Sequence, residues 1–147
     1  MSAAGPFDAV VAGGRTPGVY RVSSAEPAAA LASRLVEVGW VAPIIDGYAV
    51  ADRDAFLRAC AAALRLPDWF GFNWDALHDC LIDLSWLDGA GQLVLWEGAA
   101  TLLDAEPVSW RTACEVFTSA ASVRWALALS PLFLAVRGVD DAALPVL

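Results

Sequence analysis

Positive charge is scarce in this sequence and absent from its middle third. All nine basic residues are arginines, and none lies between Arg65 and Arg111, where eight acidic residues occur. The rest of the chain carries nine acids and nine arginines, so this interval accounts for the whole net charge of −8. A concentrated negative field attracts positively charged partners, whereas nucleic-acid binding needs a basic patch. We therefore expect a basic partner and no nucleic-acid ligand.

Long apolar runs are also absent. The longest, residues 125–136, is shorter than the roughly 18 residues that span a bilayer, and it contains Pro131. The N-terminus lacks the basic region and apolar core of a signal peptide. We therefore expect no membrane partner and a cytoplasmic location.

Cysteine is too sparse to suggest a metal or redox site. The three cysteines are an odd number, and their spacing matches neither a zinc site nor a redox pair. Each falls on an apolar helical stripe, so we expect buried, reduced thiols and no cofactor. They are Cys60, Cys80 and Cys114. The length of 147 residues and the apolar content of 59% indicate one domain with its own core.

Apolar patterning predicts strands that alternate with helices. The strands are predicted at residues 18–22, 40–45, 93–96 and 132–136. The second of these is a continuous apolar run, which is typical of a strand buried on both faces. Residues 1–17 show little periodicity and are predicted to form a loose arm. Strands joined by helical segments are typical of a parallel sheet covered by helices.

Capping residues and apolar stripes locate the helices. Ser24 is a candidate N-cap for a helix over residues 25–38 with Pro27 in its first turn, and Asp52 is a candidate N-cap for the next helix. The inward stripe of that next helix comprises Phe56, Leu57, Cys60, Ala61 and Leu64. Pro107 opens the last helix, whose C-terminal end the pattern leaves open. Its apolar stripe comprises Trp110, Ala113, Cys114, Phe117 and Ala121.

An aromatic loop followed by a two-sided helix lies within the acidic interval. Asn73 is a strong N-cap, and Asp75 places negative charge in the first turn, where the helix dipole favours it. The apolar side of the helix comprises Leu77, Cys80, Leu81 and Leu84. The opposite side comprises Asp75, His78, Asp79, Ile82 and Asp83.

Three of these residues, Asp75, Asp79 and Asp83, form one column at i, i+4 and i+8. Like charges at this spacing destabilise a helix by roughly 0.2–0.5 kcal/mol per pair. No basic residue lies near in sequence to offset them. The column is either a solvated helix surface or a binding site for a cationic partner, and the charge distribution favours the second interpretation.

The motif around this helix resembles that of the barstar family of intracellular ribonuclease inhibitors. It comprises Leu66-Pro67-Asp68-Trp69-Phe70-Gly71-Phe72-Asn73-Trp74-Asp75-Ala76-Leu77-His78-Asp79-Cys80-Leu81, followed by Gln92-Leu93-Val94-Leu95-Trp96-Glu97. The resemblance covers residues 40–138 and implies a barstar-like α/β fold, with a small parallel sheet covered by helices. Residues 1–39 would then add an N-terminal strand and helix packed on this domain, and residues 139–147 a C-terminal tail.

The resemblance also implies an inhibitory site. Asp79 matches the aspartate that occupies the place of a substrate phosphate in the ribonuclease active site, and Asp75 matches a carboxylate that pairs with a guanidinium of the nuclease. The loop residues at matching contact positions are Trp69, Phe70, Gly71 and Asn73. Asn73 serves equally well as a plain helix cap, and core packing is the alternative for the two aromatics. Gly71 permits a positive φ or a close approach of the partner backbone.

Three positions depart from the family pattern. His78 stands in place of a tryptophan, Ile82 in place of a threonine, and Ser119 in place of a glutamate for which Glu115, one turn earlier, can substitute. The anionic anchor is therefore kept while the contacts around it change. We expect a cognate target other than barnase.

The acidic face indicates a basic protein partner, and the resemblance implies that this protein is a stoichiometric inhibitor that blocks a basic ribonuclease, needs no cofactor and is monomeric when free. The alternative is a regulatory module that keeps the scaffold and binds another basic protein. Catalysis or a metal site at His78 is disfavoured. No convincing nucleophile, glycine-rich phosphate cradle or second catalytic group accompanies this single histidine, and one helix face supplies too few oxygen ligands for calcium or magnesium.

Overall fold

Four parallel strands form one sheet in the structure, a computed structural model that describes residues 5–147. In chain order the strands are β1 (Gly18–Arg21), β2 (Ile44–Asp46), β3 (Gln92–Glu97) and β4 (Leu132–Val136). Across the sheet their order is β1-β4-β3-β2. The predicted α/β fold with a small parallel sheet is confirmed. The added N-terminal strand joins the same sheet, where it pairs with β4.

Within residues 5–147, six helices cover the two faces of this sheet. They are α1 (Asp8–Val11), α2 (Ala28–Glu37), α3 (Arg53–Ala63), α4 (Trp74–Asp83), α5 (Ala100–Ala105) and α6 (Pro107–Ala126). Successive residues of a strand point to opposite faces, so β3 contributes to two cores. Val94 and Trp96 pack with α3 to α6 in a first core. Leu93 and Leu95 pack with α1 and α2 in a second core.

The N-terminal segment is more ordered than its sequence predicted. Residues 1–17 were expected to be a loose arm, but Asp8–Val11 forms a short helix, and Phe7 and Val10 are buried in the second core. The prediction was wrong for these residues because two apolar side chains suffice to anchor a single turn, which is too short to show periodicity. The part of the prediction that concerns residues 1–4 lies outside the described residues.

Two further predictions in the N-terminal half need correction. The helix expected over residues 25–38 begins at Ala28, with Pro27 as an N-cap that makes no side-chain hydrogen bond. The Ser24 hydroxyl instead accepts from the amide of Glu26 at 3.2 Å, a local bond that competes with helix capping. Residues 40–45 do not form a strand buried on both faces. Pro43, which has no amide to donate, precedes a three-residue edge strand in which Ile44 is 37% exposed.

The remaining elements agree with their predictions or complete them. Asp52 caps α3 through a bond from the Ala55 amide, and β4 spans the predicted residues. The open end of the last helix lies at Ala126. The six-residue α5 was missed, because a helix this short shows too little of the helical period. None of the helices within residues 5–147 combines the length and apolar character needed to cross a bilayer.

The three cysteines are free thiols, as predicted. Cys60 and Cys80 are fully buried, whereas Cys114 is only partly buried. Burial raises the pKa of Cys114 to about 12. The thiol is therefore protonated at neutral pH, and a protonated thiol is a poor nucleophile.

The C-terminal residues predicted as a tail lie against β1. The amide of Arg21 donates to the carbonyl of Pro145 at 2.9 Å, and the amide of Leu147 donates to the carbonyl of Arg21 at 3.0 Å. Asp141 in the same segment accepts from the Trp110 indole and from the Ala143 amide, both at 3.0 Å. The segment is thus tied both to the sheet and to α6.

The free energy of unfolding should decrease in acid, in part because of Asp141. The Trp110 indole and then the Ala143 amide, by donating to its carboxylate, lower the pKa of Asp141 below its ordinary value of 3.8. The unfolded chain therefore binds this proton at a higher pH than the folded protein does. The stabilisation is complete above the ordinary pKa and is lost as the pH falls through the lowered one.

Asp141→Asn tests this assignment. We expect it to lower the free energy of unfolding at pH 7 by roughly 0.5–1 kcal/mol, a small value because the carboxylate is partly solvated, and to flatten the loss of stability in acid. Asp140→Asn is the control: the 98% exposed side chain of Asp140 makes only a surface ion pair with Arg21, and such pairs contribute little to stability. Urea denaturation at pH 7 and pH 3, followed by tryptophan fluorescence, gives both values. An acid dependence that is the same in the Asp141 variant and the parent protein would contradict the assignment.

Candidate protein-binding face

Helix α4 is held by its cap and by its apolar side. The Asn73 side chain accepts from the Ala76 amide at 2.8 Å, which confirms the predicted N-cap. The predicted apolar stripe is confirmed as well, since each of its members is at most 1% exposed; it comprises Leu77, Cys80, Leu81 and Leu84. Leu84 ends the helix in the left-handed conformation, with φ of 47°. One complete side of the helix is therefore fixed in the first core.

The other side of α4 presents the aspartate column to solvent. Asp75, Asp79 and Asp83 are exposed, while His78 and Ile82 are half-buried. Among residues 5–147, none of the four ion pairs involves any of these aspartates. The negative charge of the column is therefore not neutralised by a direct salt bridge within the described part of the chain.

Asp83 differs from the other two aspartates because a buried arginine lies beneath it. Arg124 of α6 is 2% exposed, and its Nη1 donates to the carbonyls of Ile82 and Asp83 at 2.7 and 3.0 Å. Burial lowers the pKa of Arg124, and the negative charge of Asp83 acts in the opposite direction. The charge of Asp83 is thus partly compensated within the chain. Asp75 and Asp79 remain the strongest candidates for contact with a partner.

His78 joins α4 to α6. Its Nε2 lies 2.9 Å from the Ser119 hydroxyl, and either group can donate, depending on the imidazole tautomer. The structure thereby places both predicted residues, together with Ile82, on one continuous surface formed by the two helices. Glu115 is exposed one turn before Ser119 and borders a groove toward residues 141–144. No hydrogen bond or ion pair within residues 5–147 joins Glu115 to α4, so its predicted contact role stays a prediction.

The aromatic loop before α4 has a different exposed pair from the one expected. Trp69 is 66% exposed, as a contact residue should be, but Phe70 is only 5% exposed and belongs to the first core. The prediction of a surface contact by Phe70 is therefore wrong. Phe72, which is 49% exposed, lies over Phe70 with ring centroids 4.8 Å apart. The solvent-facing aromatics of the loop are Trp69 and Phe72.

The unusual backbone conformation in this loop lies at Phe72. Phe72 has φ of 50°, whereas Gly71 is not among the described residues with positive φ, so that part of the prediction was wrong. A positive φ is uncommon for a bulky residue. A Cβ at Gly71 would lie 3.2 Å from Nδ2 of Asn73, whose side chain also donates to the Gly71 carbonyl. A larger residue would therefore push the Asn73 side chain by a few tenths of an ångström.

The core beneath the column responds to its charge. Burial raises the pKa of the Cys80 thiol, and the negative charges of Asp79 and Asp83 raise it further.

Within residues 5–147, no three histidine, cysteine, aspartate or glutamate side chains are grouped so that they could hold a metal ion.

Sequence reasoning missed two contributors to this face. Phe72 carried a usable signal, because an aromatic residue between Gly71 and the capping Asn73 cannot continue the buried helical stripe. Arg124 also carried one, since it continues the buried stripe of α6 three residues after Ala121. An arginine at such a position indicates a buried polar network.

Comparison with known families agrees with this geometry. The family model described as Barstar (barnase inhibitor) matches residues 41–137, about two thirds of the chain. The chain belongs to the barstar family. The matched region begins at Val41, so β1 and α2 lie outside it although β1 is part of the same sheet. A search of curated proteins found no significant match.

Membership of the barstar family bears on the role of the exposed face of α4. The resemblance noted in the sequence is confirmed, and the matched domain is described as an inhibitor of another protein rather than as an enzyme. The family and the geometry therefore both indicate that this face binds another protein. The individual contact residues are proposals.

Proposed function

We propose that this protein binds a basic ribonuclease and blocks its active site with α4 and the preceding aromatic loop. Asp79 is the central contact, Asp75 pairs with a neighbouring cation of the nuclease, and Trp69 and Phe72 lie flat against the surface beside the active site. The complex is stoichiometric and forms in the cytoplasm without a cofactor.

One observation carries this proposal. Asp75 and Asp79 project into solvent from a helix whose opposite side is fully buried, and no ion pair within residues 5–147 involves them. The backbone that carries these carboxylates is already fixed and loses little freedom on binding, so more of the interaction free energy remains as affinity. This rigidity distinguishes the column from acidic residues on a mobile loop.

The chemistry of such a face suits a ribonuclease active site. A ribonuclease active site that works without a metal ion binds the phosphate of its substrate with arginine, lysine or protonated histidine. A carboxylate placed among these groups makes short charge-assisted hydrogen bonds of about 2.7–2.9 Å. Asp79 would occupy the position of the phosphate, and the nuclease could not bind RNA at the same time.

The proposal is tested by capture followed by an enzyme assay. The purified protein is immobilised and incubated with proteins from its native source, and each captured protein is assayed on a fluorogenic RNA substrate with and without added inhibitor. We expect a small basic nuclease whose activity falls to zero at one equivalent. Barnase serves as a comparison, and we expect it to be inhibited more weakly than the captured nuclease because the contacts around Asp79 depart from the family pattern. Capture of a nuclease that remains fully active in the complex would overturn the proposal.

Association with the nuclease should slow as salt increases. The exposed negative field of the interval between Arg65 and Arg111 steers the encounter, and ions screen such fields beyond about 8–10 Å at physiological salt. We expect the association rate constant to fall at least about ten-fold between 20 and 500 mM NaCl, with a smaller change in the dissociation rate constant. Stopped-flow tryptophan fluorescence measures both. An association rate constant that does not depend on salt would exclude steering.

A second function has one observation in its favour. Next to Asp79, the surface consists of His78 and Ser119, which are hydrogen-bonded to each other. The family pattern has a tryptophan and a glutamate at these two positions. A regulatory module that binds another basic protein would tolerate this change. The capture experiment separates the two functions, because the second predicts a basic protein that has no nuclease activity.

A further inference from the structure

The polar side chains that are fully buried within residues 5–147 belong to one network, which lies at the C-terminal end of α4. Gln92 and Arg124 are the only buried polar or charged residues within residues 5–147, each 2% exposed. Nη2 of Arg124 donates to Oε1 of Gln92 at 3.2 Å and to the Ser130 hydroxyl at 2.9 Å, and Nε donates to the Ser130 carbonyl at 3.1 Å. The amide group of Gln92 donates in turn to the carbonyl of Leu87 at 2.9 Å.

The remaining nitrogen of this guanidinium, Nη1, donates hydrogen bonds to the end of α4. A helix leaves its last carbonyls without helical partners, and in α4 the carbonyls of Ile82 and Asp83 accept from Nη1 of Arg124. A cation at a helix C-terminus also interacts favourably with the helix dipole. This cation offsets the unfavourable position of the Asp83 carboxylate at the same end.

The helix needs such support because it is short and carries like charges. Ten residues form α4, and isolated helices of fewer than about 12 residues are marginal in water. The aspartate column opposes the helix further. Arg124 belongs to α6 and bonds to the last turn of α4. It also bonds to Gln92 at the start of β3 and to Ser130 in the loop between α6 and β4.

We propose that Arg124 is a positioning residue for the partner-binding face. It fixes the C-terminal turn of α4 before the partner arrives, so that Asp79 and Asp75 are presented in one geometry. Arg124 does not touch the partner, because its side chain is buried. This inference rests on the proposed function for its effect on binding, but its effect on the free protein is independent of any partner.

Two measurements on Arg124→Gln test the proposal. Amide hydrogen exchange in the free protein should accelerate at least ten-fold in the last turn of α4, residues 81–84, relative to α3. The dissociation constant for the captured nuclease should rise at least ten-fold. Arg124→Lys keeps the charge but lacks the planar fork that reaches both carbonyls and Gln92 together, so it should restore only part of each loss. If the glutamine variant does not fold, the lysine variant and Ser130→Ala provide the same two measurements.

Two controls separate positioning from general effects. Arg58→Gln removes the same charge from an exposed site on α3 and should change neither measurement. Phe133→Leu weakens the second core on the opposite side of the sheet and should reduce stability without selective exchange in α4. A double variant with Asp79→Ala should lose less affinity than the sum of the single losses, because both act on one contact.

The outcomes distinguish this proposal from the proposed function. Unchanged exchange in α4 overturns the positioning role, whatever the nuclease does. Accelerated exchange with an unchanged dissociation constant overturns its importance for binding. Full binding by the Asp79→Ala variant overturns the proposed function instead, and in that case the selective exchange in α4 still decides whether Arg124 holds the helix.

Discussion

Asp79→Ala should raise the dissociation constant of the nuclease complex at least about 30-fold, which corresponds to about 2 kcal/mol. The carboxylate is exposed at the middle of the acidic column, and no salt bridge within residues 5–147 engages it. In the complex it would be surrounded by cations in a site without water. Removing it leaves those cations buried and unpaired, and this is the main reason for the large loss. Isothermal titration calorimetry or surface plasmon resonance measures the change.

Asp88→Ala is the matched control for this substitution. Asp88 is an exposed acid of the same interval, but it lies in the loop after α4 rather than on its outer face. The control removes the same net charge, so it reports the effect of the long-range field alone. We expect a change of less than about three-fold, mostly in the association rate constant. Equal losses from the two substitutions would show that the field matters and that Asp79 is no central contact.

Leu81→Ala should lower the free energy of unfolding by about 2–5 kcal/mol. Leu81 is fully buried on the underside of α4 and packs in the first core. The substitution removes three carbon atoms from a closely packed interior and leaves a cavity, because the helix cannot move inward far enough to fill it. This apolar side is what holds an unfavourably charged helix in place. Urea denaturation followed by circular dichroism gives the value.

Leu127→Ala makes the same chemical change at the surface. Leu127 follows α6 and is 59% exposed, so its truncation should change the free energy of unfolding by no more than about 0.5 kcal/mol. A loss below about 1 kcal/mol for Leu81→Ala would contradict the assignment of the underside of α4 as its main anchor. Such a result would indicate that the hydrogen bonds of the Arg124 network, rather than the buried leucines, hold α4 in place.

Packing and charge have opposite effects on α4, and their magnitudes show which prevails. Two like-charged pairs at i and i+4 cost together less than about 1 kcal/mol. Each fully buried leucine on the underside contributes roughly 1.5–3 kcal/mol, and Leu77, Leu81 and Leu84 are all buried. The helix therefore tolerates an acidic outer face, and a surface that is unfavourable for the isolated helix is available for a cationic partner.

Local patterns were sufficient to predict much of this face. The cap at Asn73, the buried stripe of α4 and the exposure of the aspartates follow from short-range spacing, because helical periodicity alone decides which side chains share a side. The barstar motif was likewise contiguous, and the family match confirms it. Predictions failed where the outcome depended on neighbours distant in sequence. Phe70 and Phe72 have the same loop context, and only the position of the first core decides that Phe70 is buried.

The sequence by itself determined the class of fold, the rigid acidic helix and the family, because each is encoded in residues close together along the chain. Tertiary structure alone decided three other properties: the N-terminal strand pairs with β4, residues 40–45 lie at an edge, and Arg124 reaches the end of α4 across 41 residues. The physical reason is the same in each case. Strand pairing and buried hydrogen bonds join groups whose separation in sequence carries no periodic signal, so only the folded chain shows which partner each group has.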